Sequence, residues 1–317
     1  MKRDSSAAIG LLVVLIVALI VVAIVAVVVL VPWQKASVDE NRSVAKTVGV
    51  KQMVVSVTAN TGLIDVSFGD LGGDLAQLSV KGSGSLNLLT KKAPVVVNLT
   101  STSSVDGMTL NVAANVNVDT VGSAFSFADL RIMMVLDRSV PSHVNAISQA
   151  GQISLTAGSG VVLQGVNLQA TAGSVAMTLR QGVNLTGNVS MITTTGAVTL
   201  NWSDVTAKNG TRLTLGATTG AVDANITQHG DLGGNVTVSA IATTGAVHWT
   251  MNISGGSAAH IESASGFDSV NVQKNVGFTG ANDNLSSTNF AGAHDHSFAV
   301  VLSVNTGSIN LDLDYVA

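Results

Sequence analysis

The sequence predicts an all-β protein: a single-chain β-solenoid with rungs of about 22–25 residues, preceded by one transmembrane α-helix. Three observations predict it. A long uncharged run stands near the start, a glycine-centred phrase returns along the chain, and apolar residues alternate on both sides of each such glycine.

Residues 1–8 contain Lys2 and Arg3 and read as a short cytoplasmic tail. Residues 9–31, IGLLVVLIVALIVVAIVAVVVLV, carry no charge. As a helix rising about 1.5 Å per residue this run reaches roughly 35 Å, enough for a hydrocarbon core of about 30 Å. No small-x-small cleavage pattern follows it. Trp33 sits where an amphipathic ring favours the interface, and basic residues on the leading side place the N-terminus in the cytoplasm. The expected location is therefore the cell membrane, single-pass, with the C-terminal domain extracellular and membrane lipid as the first partner. Residues 32–49 read as a polar stalk or linker, and residues 50–317 as the external domain.

The phrase is clearest in TTTGAVTL (193–200), ATTGAVDA (217–224) and ATTGAVHW (242–249). Seven copies centre on Gly62, Gly151, Gly173, Gly196, Gly220, Gly245 and Gly307. At offsets −7, −5, +2 and +4 from these glycines all 28 positions are apolar. A spacing of two means strand, since successive side chains alternate faces. The inward phase is odd before the glycine and even after it, so the chain bends there, and glycine tolerates the backbone angles of a corner. From Gly151 to Gly245 the intervals are 22, 23, 24 and 25 residues, the spacing of a stacked array whose units cannot bury their apolar faces alone. Threonines 194/195, 218/219 and 243/244 are expected to align rung over rung and exchange hydroxyl hydrogen bonds.

Two regions fall outside the frame. Residues 69–140 alternate over longer runs and read as an antiparallel strand cap at the front of the stack. Residues 254–298 read as a loop or as a degenerate rung around Gly266, where Asp268 breaks the apolar rule at +2.

Composition limits the function classes. Charged residues are 11% of the chain, aromatics 3%, and the formal net charge is −4; nucleic-acid binding needs clustered Lys and Arg that this chain lacks. With no cysteine the domain must hold by packing and backbone hydrogen bonds alone. Ten Asn-x-Ser/Thr sequons occur. Asn188, Asn201, Asn225, Asn235 and Asn252 fall on the outward phase and are the candidate glycosylation positions. Trp202 at +6 and Trp249 at +4 are inward by phase, which favours core packing over a sugar-stacking platform.

The segment VLDRSVPSHVNAISQAGQISLTAG (135–158), the TTGAV phrases and the closing SVNTGSINLDL (303–313) together resemble the adhesin or "toastrack" family of β-solenoid domains. The resemblance covers roughly residues 50–317 and implies a strand, a proline-containing turn and successive short rungs. It also implies tethering to a prokaryotic membrane and a place in the cell envelope. The family has no agreed catalytic residues, so the resemblance implies none here. Ala or Ser follows the glycine where the family often has an acidic residue.

No residue cluster announces a chemistry. AHDHS (293–297) is the one ligand-like stretch: His294 and His296 would share a strand face and supply part of a zinc or copper site. A third ligand does not follow from spacing, and a polar loop is the preferred reading. Asp223, Asp312 and Asp314 face outward but lie apart, whereas hydrolytic sites need clustered acids. Lys208 and Arg212 flank an Asn-Gly turn and read as ordinary surface charges. Neither catalytic nor cofactor-binding residues are expected, and no cofactor.

The expected function is a membrane-anchored, cell-surface, adhesin-like or envelope interaction module without catalysis. Envelope or matrix components or other surface proteins would be its partners, and a homo-oligomer could form through an open edge. Two rivals stand beside it. A pilin-like filament subunit would lose a short leader before Ile9, and a carbohydrate-active solenoid enzyme would release new ends from envelope polysaccharides.

Overall fold

The computed structural model describes residues 33–87, 95–118, 130–267, 269–292 and 296–316. The apolar segment 9–31 lies outside them. Among the described residues no helix is long and apolar enough to cross a membrane.

Strands follow one another almost without interruption. First come β1 (Trp33–Ala45), β2 (Gln52–Thr61), β3 (Leu63–Gly69), β4 (Asp74–Asn87) and β5 (Val95–Ser103). Then come β6 (Thr109–Val118), β7 (Arg131–Asp137), β8 (Ser142–Ala150) and β9 (Ile153–Ala157). The regular middle holds β10 (Val162–Ala172), β11 (Val175–Leu179), the short β12 (Asn184–Leu185), β13 (Val189–Thr195) and β14 (Val198–Ser203). It continues with the short β15 (Thr206–Ala207), β16 (Thr211–Thr219), β17 (Val222–Gln228), β18 (Val236–Thr244) and β19 (Val247–Ser254). The last are β20 (Ala258–Ser265), β21 (Val270–Val276), β22 (Phe278–Ala281), β23 (Asn284–Ser287), β24 (Ser297–Thr306) and β25 (Ile309–Val316).

These strands form two long sheets. One runs β1-β4-β7-β3-β9-β11-β14-β17-β19-β25-β21; the other runs β22-β23-β20-β24-β18-β16-β13-β10-β8-β2-β6-β5. From β8 to β19 each pair across a corner glycine contributes one strand to each sheet, and each strand lies parallel and in register with its neighbours. Val166 thus faces Val144 on one side and Val189 on the other, and Val198 faces Val222. The pairs stack as rungs with the apolar core between the sheets.

All 28 frame positions are buried, none more than 4% exposed. Burying an aliphatic side chain yields about 1.5–3 kcal/mol, against about 1–2 kcal/mol per residue of backbone ordering. A lone rung would leave these side chains wet; stacking makes the balance favourable. Trp202 and Trp249 are buried among them.

The corner glycines form a single column. The N–H of Gly173 donates to the carbonyl of Thr195 at 2.7 Å, that of Gly196 to Thr219 at 2.9 Å, and that of Gly220 to Thr244 at 2.9 Å. Gly220 has φ +138°, and a Cβ there would fall far inside contact distance of the Gly196 carbonyl oxygen. Each corner therefore rests on the one beneath with no room for a side chain.

The position at −3 is also inward and is small in six of the seven repeats, with the buried Val304 at the seventh. Ala59, Ala170, Ala217 and Ala242 occupy it and are buried; the sequence frame had not included it. Thr193 takes this place in one rung and donates its hydroxyl to the Gly173 carbonyl at 2.8 Å. That corrects the expected threonine ladder. The threonines at −2 and −1 do align, Thr195 on Thr219 and Thr219 on Thr244, but they are exposed, where hydroxyls gain little by bonding one another instead of solvent. Ser148 also stands at −3, with its buried hydroxyl unpartnered. Replacing it by Ala should raise stability by about 1–3 kcal/mol, the desolvation cost of such a group, read as a rise in the thermal midpoint.

Three regions depart from expectation. Residues 33–45, expected as a stalk, are strand β1, antiparallel to β4 along its length. The polarity that suggested a stalk is that of a sheet edge, where charges such as Asp39, Glu40 and Arg42 discourage pairing with other chains. Within 69–140, β4 is antiparallel to β7 and β5 to β6, but β6 lies parallel to β2 and β7 parallel to β3, so those two belong to the stack. Residues 254–298 resolve toward the rung: β20 and β21 run parallel to β24 and β25, and the β22–β23 hairpin folds back antiparallel on β20.

Chain order and spatial order differ at both ends. The pair β2–β3 sits between β6–β7 and β8–β9, and the last pair, β24–β25, is inserted between β18–β19 and β20–β21. Both chain-terminal rungs are thereby paired on two sides, which protects them from fraying.

Candidate functional site

The two outer faces carry different chemistry. The first sheet displays Asp65, Asp223, His248, Asp312 and Asp314 among its outward residues. These do not converge. Asp223 lies in register with His248, and Asp314 is paired with Lys274 at 2.7 Å. On the second sheet the outward positions of β8, β10, β13, β16, β18 and β24 are Ser, Thr, Asn, Gln, Gly, Ala, Ile, Val and His, with Arg212 as the one formal charge. Ile192, Ile241 and Val301 stand on that face, 39–45% exposed.

The candidate glycosylation positions divide by their hydrogen bonds. Asn201 and Asn225 are exposed, directly opposite one another on β14 and β17. Asn188 is exposed, its Oδ1 accepting from the backbone N–H of Arg212 at 3.0 Å. Asn235 and Asn252 are half-buried. Asn235 Oδ1 accepts from both the N–H and the hydroxyl of Ser297, at 3.0 and 2.9 Å, and Asn252 Oδ1 lies 3.1 Å from His229 Nε2. The asparagines are thus partly rung-to-rung braces, which phase alone did not show.

His294 lies outside the described residues. His296 Nδ1 lies 2.9 Å from a carboxylate oxygen of Asp231, without hydrogen-bond alignment. Among the described residues no three His or acidic side chains are placed to share a metal ion.

A groove of about 430 Å³ opens where the second sheet turns into the short β12 and β15 strands. One wall is a column of Gln164, Thr186 and Lys208, each following the register-matched residues Leu163, Leu185 and Ala207 on successive rungs. His143 and Asn188 stand on the other side, with Gly165 between them. A side chain at Gly165 would meet the His143 ring at 2.5 Å, so the glycine keeps the groove open.

The hydrogen bonds within the walls determine what the groove presents. Asn188 gives its oxygen to Arg212, and Asn209 gives its oxygen to the N–H of Asn235 at 3.2 Å. A backbone N–H can bond only to the amide oxygen, so both side chains turn their NH₂ groups away from these bonds. The lining includes the Lys208 ammonium and no carboxylate. The groove thus combines one lysine, one imidazole, hydroxyls and amide groups, and among the described residues no set of three His or acidic side chains shares it. Sequence reading passed over it because its members come from four rungs. Glycines at 165, 187 and 210, outside the corner frame, were the available signal.

A second hollow, about 480 Å³, lies over β1, β4 and β7 and mixes Arg42 and Asp74 with Met133 and Val135. Its charges are balanced and it has no comparable donor array.

No family model matches the chain, and neither does any curated protein. Solved structures similar to it include a candidate cell-adhesion protein from Clostridium sporogenes ATCC 15579. That one is 10% identical over 89% of this chain and 100% of its own, with a TM-score of 0.42. A candidate adhesin from Bacteroides fragilis NCTC 9343 is 10% identical over 88% of this chain and 98% of its own, with a TM-score of 0.35. Both are adhesin-type proteins, the kind the sequence resembles. At that degree of likeness neither carries an argument, and the architecture above rests on strand pairing alone.

Proposed function

We propose that this chain is a single-pass, membrane-anchored β-solenoid displayed outside the cell, an adhesin-like or envelope interaction module that works by binding and not by catalysis. The observation that supports it is the contrast between the faces. One sheet presents a broad neutral field of hydroxyl, amide and aliphatic groups, ending in a donor-lined groove. Such a field suits short-range contact, since it offers hydrogen bonds and strippable apolar area without the desolvation penalty of charges. The uncharged segment 9–31 behind Lys2 and Arg3 supports the anchor and the outward orientation.

Protease added to intact cells should remove the domain. Protection of residues 50–317 on intact cells, with cleavage only after lysis, would overturn the outward placement.

Glycosylation belongs to the same reading. Asn201 and Asn225 project side by side from strands about 4.8 Å apart, too close for two glycans to pack abreast. Glycopeptide mass spectrometry should find either site occupied but not both on one chain; double occupancy would refute the crowding argument.

A further inference from the structure

Consider the groove as chemistry. Its strong polar groups point one way: the Lys208 ammonium is a donor only, and the asparagine oxygens are already held by backbone N–H groups of the next rung. Thr186 spends its hydroxyl hydrogen on the Leu163 carbonyl at 3.3 Å, leaving oxygen lone pairs for a ligand's hydroxyls, whereas Thr211 is buried and bonded to the Lys208 carbonyl at 2.6 Å. No carboxylate lines the cleft. In a chain of formal net charge −4 this is a local exception.

The spacing narrows the ligand further. Gln164, Thr186 and Lys208 repeat once per rung, about 4.8 Å apart, which is of the order of the length of one sugar residue. A linear polymer laid across the rungs would meet one hydrogen-bonding side chain per unit. Nucleic acid fits poorly, for the lining has neither an aromatic platform nor the clustered cations that phosphate chains require. An apolar peptide side chain would find no pocket.

We propose that this groove binds an acidic polysaccharide running across the rungs, with a carboxylate held between Lys208 and the Asn188 amide and neighbouring hydroxyls met by Gln164 and Thr186. The inference rests on the reading of the domain as a surface binding module and names the ligand class of its groove.

The test uses the full chain in detergent, made in a host without N-glycosylation so that Asn188 is bare. Calorimetric titration compares three probes: a tetragalacturonate, the same oligomer with its carboxyls reduced to alcohols, and acetate. The charged oligomer should bind best, with the reduced oligomer at least tenfold weaker. Lys208→Met should cost a further factor of about ten to a hundred. Asn188→Asp should do the same, because it keeps the oxygen that accepts from Arg212 while presenting a negative charge. Lys81→Met, on the capping strand β4, should change nothing. Equal binding of the reduced oligomer, unchanged binding by both groove variants, or acetate binding as tight as the oligomer would each overturn the proposal. So would the absence of binding by every probe, which leaves the surface-module reading to the protease experiment.

Discussion

Gly220→Ala should prevent the external domain from folding, or cost it more than about 4 kcal/mol. Two effects act together at this corner. The backbone sits at φ +138°, a region essentially confined to glycine, and the added methyl would be driven into the carbonyl oxygen of Gly196. Relief would require lifting one rung off the next, breaking the Gly196-to-Thr219 and Gly220-to-Thr244 backbone bonds at the site. The control is Gly210→Ala. Gly210 also has positive φ, +82°, but nothing stands within 4 Å of its would-be Cβ, so the cost should be only the backbone term of about 1–2 kcal/mol. Circular dichroism and thermal melts of the two variants separate these cases. Equal, mild losses would show that the corner is not a steric column.

Gln228→Leu should be the next most damaging substitution, by about 2–6 kcal/mol. Gln228 is wholly buried, and its side chain serves three groups. Oε1 accepts from the Trp202 indole at 2.8 Å and from the Val205 N–H at 3.2 Å, while Nε2 donates to the Gly230 carbonyl at 3.0 Å. Leucine fills the volume but leaves the buried Trp202 and Val205 donors without partners, each costing about 1–3 kcal/mol, and frees the carbonyl of the exposed Gly230. The turn around Gly230 is held from its other side by Asp204, whose Oδ1 accepts from the N–H groups of His229 and Gly230 at 2.7 and 3.0 Å. The loss should therefore remain local. Denaturant unfolding followed by tryptophan fluorescence would report it, since Trp202 lies in the network. A loss under about 1 kcal/mol would mean that water replaces the amide.

Both predictions concern contacts between rungs, and the two differ in how far they could be read beforehand. The recurring glycine, its spacing and the phase change across it led directly to Gly220 as a corner. Gln228 stood outside the frame at +8, a polar residue in an inward phase, and nothing local told that the indole of Trp202 and the N–H of Val205 from the neighbouring turn would converge on it. The same division separates Trp202 and Trp249, inward by phase and buried as expected, from Asn235, whose outward phase hid its role as a brace to Ser297.

What the sequence by itself determined is the repeating unit: strand, corner, strand, with alternate side chains inward. Alternation and glycine tolerance act over a few residues, so each rung carries the information locally. Only the tertiary structure decided the order of stacking, the insertion of β24–β25 beside β18–β19, the pairing of residues 33–45 with β4, and the assembly of the groove. In a parallel stack any rung offers its neighbours nearly the same backbone edge. Which one docks is therefore decided by how the ends close and by side chains from distant turns meeting in space.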